Sequence, residues 1–173
     1  MTQDSRNPHE PWLRGTLSEI PAVPRAVLHA LELAKEDIDR WTIGLTDDEL
    51  NQSPLGIPSI AFHVRHIVRS VDRLLTYAEG KALSTDQIAL LRTELTEIAN
   101  REELFGEFQD SLERSASRVC QLAELDFNAS RQVGSRQLPT TLGGLFVHIA
   151  DHTQRHVGQA ITTAKIIVAH RTA

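Results

Sequence analysis

The sequence predicts an all-α protein, a four-helix bundle, and three observations carry that expectation. The seven prolines fall at positions 8, 11, 21, 24, 54, 58 and 139, leaving long intervals in which helices can run without interruption. Inside those intervals apolar residues recur every three or four positions, the repeat that lines one face of a helix. No segment alternates apolar and polar residues convincingly with a period of two, so strands are not expected.

The first helix is expected from about Val23 to Ile43. Val27, Leu31, Leu33, Ala34, Ile38 and Trp41 recur at helical spacing, and Gly44 is placed to end it. Thr46-Asp47-Asp48-Glu49 has the form of a capping box, in which a hydroxyl and a carboxylate satisfy free backbone donors of a short connecting turn. After Pro54 and Pro58, the stretch Ser59 to Glu79 carries Ile60, Val64, Ile67, Val71, Leu74 and Ala78 on one face, with Gly80 as its cap. That is the second bundle helix. Residues 84–125 contain no proline and one glycine, predicting a short helix over Thr85 to Asn100 and the third bundle helix over Arg101 to Ala123. Asp126 to Leu138 is rich in turn formers and basic side chains and reads as a loop. Pro139, Thr140 and Thr141 then open the last helix, which runs to about His170.

A chain of 173 residues with 40% hydrophobic content can build one buried core, so residues 1–173 are expected to form a single domain, with 1–20 as an N-terminal extension. The net charge of −5, with Lys and Arg scattered, gives no footprint for a phosphate backbone and argues against nucleic acid. Cys120 stands alone and cannot form an intrachain disulfide, and the start MTQDSRNPHEPW lacks the pattern of a signal peptide. No apolar run approaches the roughly 20 residues that span a bilayer. A soluble cytoplasmic protein without a membrane partner is the expectation. Cys120 is expected as a small core residue of the third helix, and Trp12 and Trp41 are expected to pack.

Five of the eight histidines fall in two short places: His63 and His66 in the second helix, and His148, His152 and His156 in the last. Residues four apart on a helix share a face, so His152 and His156 can aim two imidazoles at one point, an arrangement suited to a zinc-type ion. Set against the apolar stripe Leu142, Leu145, Phe146, Ile149, Thr153, Ala160, Ala164 and Ile167, His156 falls inside, His152 at the edge and His148 toward solvent. By itself a His-x-x-x-His pair is more often two unrelated histidines. The second cluster changes the balance, because it offers the third ligand that an open, catalytic type of site wants. Periodicity leaves that ligand undecided but prefers His63, since His66 lies on the side shared with Arg69 and Arg73.

The runs LTDDELNQSP, PSIAFHVRHIVRSVDRLL and TLGGLFVHIADHTQRHVGQ, in this order and spacing over roughly residues 25 to 170, resemble the DinB-like (YfiT-like) metalloenzyme superfamily. The resemblance implies a four-helix bundle whose divalent metal, zinc or nickel, is held by one histidine of the second helix and a His-x-x-x-His pair of the fourth. Carried over to this chain, it names His66, His152 and His156 as the ligands. His63 becomes a supporting group or an alternative ligand, and Gln159, which matches the family's Gln, is placed either to hold His156 by a hydrogen bond or to cap packing between helices. One departure stands out: the Arg that usually follows the last histidine is Val157 here, with Arg155 just before the pair's second member. The resemblance also implies a homodimer, and chemistry in which a metal activates a low-molecular-weight thiol, such as bacillithiol or mycothiol, for transfer to a small molecule.

Three neutral imidazoles leave an ion its full charge, so a bound water or thiol is acidified into a nucleophile near neutral pH. Thiol-dependent transfer and hydrolysis both follow. The alternative is a non-catalytic metal-binding or stress-response protein, and beyond it a helical interaction module without metal. A structural zinc is closed by four protein ligands, and no fourth ligand is evident in the sequence. Asp151 is placed to orient an imidazole or simply to face solvent, and Tyr77 and Glu79 close the second helix within reach of a pocket. No other general base stands out.

Overall fold

In the computed structural model, which describes residues 9–171, six helices and one hairpin follow in chain order. They are α1 (Ala22–Thr42), α2 (Asp47–Asn51), α3 (Ile60–Ala78), α4 (Thr85–Thr93), α5 (Arg101–Gln121), β1 (Ser130–Val133), β2 (Leu138–Thr141) and α6 (Leu142–His170), with short 3-10 turns at Pro11–Leu13 and Pro54–Gly56. Every helix after α1 begins on a side chain that satisfies its free N–H groups. Thr46 and Ser84 form capping boxes with Glu49 and Gln87, and Ser59, Asn100 and Thr141 accept from Phe62, Glu103 and Gly144. Gly44 and Gly80 take positive φ angles of 73° and 76° just past α1 and α3, a conformation that costs glycine little.

The four long helices carry the core. α1 packs on α6 and on α5, and α3 packs on α6 and on α5. Val27, Leu31, Ala34 and Ile38 of α1 meet Ile60, Val64, Ile67 and Val71 of α3, Leu104, Phe108 and Leu112 of α5, and Leu142, Phe146 and Ile149 of α6 in one cluster. All eight members of the apolar stripe expected on the last helix are buried. No helix among the described residues is long and apolar enough to cross a membrane.

Several expectations change. The expected loop 126–138 holds a strand, and Pro139, Thr140 and Thr141 belong to a second strand and not to the last helix, so the chain is mostly helical with a small antiparallel sheet. Turn-forming composition hid the pairing, which Gly134 at φ 71° makes possible and which places Pro139 opposite Gln132. Arg131 ties the hairpin to α3 by donating to the carbonyl of Ala78 at 2.6 Å. Gly143 lets α6 start hard against the preceding segment, since a Cβ there would stand 3.1 Å from the Phe127 carbonyl oxygen. α4 ends at Thr93, short of Asn100. Cys120 is exposed, because α5 presents only its other faces to α1 and α3. Trp12 is 61% exposed, and Trp41 lies at the surface under the Lys165 ammonium, 4.5 Å from its ring centre. The first eight residues of the expected N-terminal extension lie outside the described residues.

Candidate metal centre

α3 and α6 pack face to face, and their histidines meet across that contact. His66, His152 and His156 each offer a ring nitrogen, and the three donor atoms lie within 4.8 Å of one another. His66 Nε2 and His152 Nε2 stand 3.3 Å apart. Two nitrogens bound to one tetrahedral ion at about 2.0–2.1 Å would be separated by about 3.3 Å, so the spacing fits.

The protonation chemistry fits as well. Burial, reinforced by His156 and His66 beside it, pushes His152 down to about 4. Burial, then His66 and Arg155, takes His156 to about 4, and burial, then His156 and His66, does the same for His63. Neutral imidazoles near pH 7 present lone pairs to a cation and not protons. His152 Nδ1 is buried without a hydrogen-bond partner among the described residues, leaving Nε2 as the nitrogen that faces the cluster.

His63 stands outside the three. It is 3% exposed, and its Nδ1 lies 3.1 Å from Nδ1 of His156. Phe62 stacks on the His66 ring at 5.3 Å between centres and 17° between planes, fixing that ring's orientation from the side. His148 is exposed, its ring 5.4 Å from that of His152.

The remaining sequence candidates fall elsewhere. Asp151 pairs with Arg155 one turn along α6 rather than with an imidazole. Glu79 binds Arg118 at 2.6 Å and Lys81 at 2.9 Å, which commits it to the far end of α3. Tyr77 lines a different hollow, with Lys81 and Arg131. Gln159 lines a cleft of about 490 Å³ that also touches Ile57, Pro58, Phe62, His63, Arg155 and His156. Of the three clustered histidines, the cleft touches His156.

Sequence reasoning missed Glu94. Its Oε2 accepts a hydrogen bond from His66 Nδ1 at 2.7 Å, and its Oε1 accepts from Arg73. Burial acts to raise this carboxyl, but the hydrogen bonds from His66 and Arg73 outweigh it and hold the group below the usual range. Nothing in the chain singled it out, because Glu97, Glu102, Glu103 and Glu107 follow it closely.

The DinB superfamily profile matches residues 30–160, most of the chain, and the chain belongs to that family. No curated protein matches it.

Proposed function

We propose that this protein is a metal-dependent enzyme, built on the four-helix bundle of its family, that holds one zinc or nickel ion on His66, His152 and His156 and acts on a small molecule in the adjoining cleft. The observation that carries the reading is the meeting of three donor nitrogens within 4.8 Å on the α3–α6 contact, with a cleft opening onto His156. Support for the bundle is the mutual packing of α1, α3, α5 and α6.

When bound, the ion supplies Lewis acidity that brings a thiol or water into ionisation near neutral pH. The chain's own residues do the rest. Ile57, Pro58 and Phe62 give the cleft an apolar wall, and Gln159 offers an amide to a polar substituent. The cluster leaves room for a ligand from solution, because no fourth protein donor joins the three among the described residues. Thiol-dependent transfer is the favoured reaction and hydrolysis the second.

The experiment is metal analysis of protein purified without an affinity tag, followed by cobalt loading and titration with a low-molecular-weight thiol. One equivalent of zinc or nickel, and a sulfur-to-cobalt charge-transfer band on adding thiol, are expected. A protein that cannot be loaded defeats the metal reading; a loaded protein blind to thiol leaves hydrolysis.

A further inference from the structure

Glu94 sits at the C-terminal end of α4 and is 3% exposed, although α4 itself buries no residue of its own. A carboxylate is not drawn under a protein surface without partners, because desolvating it costs several kcal/mol. Two partners are present: His66 Nδ1–H at 2.7 Å on one oxygen and the Arg73 guanidinium on the other.

The segment carrying Glu94 is pinned to α3 by arginines at helical spacing. Arg65, 1% exposed, donates through Nη1 to the carbonyls of Glu94 and Glu97. Arg69 forks onto Glu97 at 2.7 and 3.1 Å and onto Glu107 at 2.6 and 2.9 Å. Arg73 completes the row on Glu94 itself. The carboxylate is therefore held at a fixed height beside His66.

One tautomer follows. A carboxylate accepts only, so His66 carries its proton on Nδ1 and turns a bare Nε2 lone pair toward His152 Nε2, 3.3 Å away. We propose that Glu94 is the residue that positions His66 as a metal donor, selecting its tautomer and strengthening its Nε2 through a carboxylate–histidine pair, with Arg73 locking the carboxylate in place. This rests on the three-histidine metal reading. The electrostatic sense is clear: a negative charge behind the imidazole strengthens its hold on a cation.

The test uses the whole chain. Cobalt(II) titrations followed in the visible compare wild type with Glu94→Gln, with circular dichroism as the control for folding. Glu94→Gln keeps the size but removes the charge, and it leaves one oxygen to serve two donors. Expected are one cobalt per chain in both proteins, affinity weaker in the variant by about 10–100-fold, and displaced ligand-field bands. Equal affinity and identical bands overturn the inference while leaving the metal site standing. A wild type that takes up no cobalt overturns the metal reading itself. A second measurement needs no variant: nitrogen-15 NMR of the metal-free wild type is expected to show His66 as the Nδ1–H tautomer, and an Nε2–H tautomer overturns the inference.

Discussion

His63 and His156 face one another across the α3–α6 contact with their Nδ1 atoms 3.1 Å apart, so one of the two rings donates its proton to the other. His156 belongs to the group of three whose ring nitrogens lie together and could hold a metal, and His63 lies outside that group. A histidine that ligates through one nitrogen is commonly held by a partner on the other.

Alanine variants separate those roles. His66→Ala, His152→Ala and His156→Ala are each expected to abolish stoichiometric zinc binding. His63→Ala is expected to keep one equivalent with affinity reduced by about 10–100-fold, the usual effect of removing a ligand's support. Calorimetric zinc titration reads all four. Loss of metal in His63→Ala with retention in His66→Ala would reverse the assignment.

Stability of the metal-free protein should depend on pH in a defined window. His63, His152 and His156 are held at about 4 when folded, against 6.5 for an unhindered imidazole. As pH falls below 6.5 the unfolded chain takes up protons that the folded chain refuses until about 4. The contribution is thus fully present above 6.5 and lost as pH drops toward 4. Each fully buried group contributes at most about 1.4 kcal/mol per pH unit, and the half-buried His152 and His156 contribute less. Urea midpoints of chelator-treated protein are expected to fall between pH 7 and pH 5; a flat profile there contradicts the neutral, buried state of the rings.

Phe146 lies on α6 with no exposed surface, its ring 5.6 Å from that of Phe127. Phe146→Ala removes a side chain from the centre of the core and is expected to cost about 3–5 kcal/mol in urea denaturation. A loss below about 1 kcal/mol would mean that the site collapses to fill the space.

Gly158 lines the cleft, and a Cβ added there meets nothing within 4 Å. Gly158→Leu should therefore fold at least as stably, since glycine inside a helix costs about 1 kcal/mol relative to alanine. Zinc stoichiometry is expected to stay at wild type. Thiol binding to the cobalt protein should weaken by about tenfold or more, about 1.4 kcal/mol. Unchanged thiol affinity would place the ligand outside this cleft.

Much of the helical framework is written in local periodicity. The stripe from Leu142 to Ile167 and the capping box at Thr46 involve residues within a turn or a few turns of each other, so spacing alone reveals them. The hairpin was hidden because pairing Ser130 with Thr141 depends on a turn, not on side-chain alternation in four-residue strands.

For the candidate centre, spacing along the chain singled out His152 and His156 and, on α3, preferred His63, whereas the three donors that lie together in the fold include His66. A helical wheel treats Arg69 and Arg73 as solvent-facing and discounts the His66 that shares their side. In the fold both arginines are buried, because carboxylates from the segment after α4 and from α5 neutralise them. Those carboxylates lie 21 to 38 residues along the chain from their partners. Which glutamate meets which arginine, and with it the choice of Glu94 to face His66, is settled only when α3 and the α4–α5 segment dock, since ion pairs buried between separate elements leave no period in the sequence.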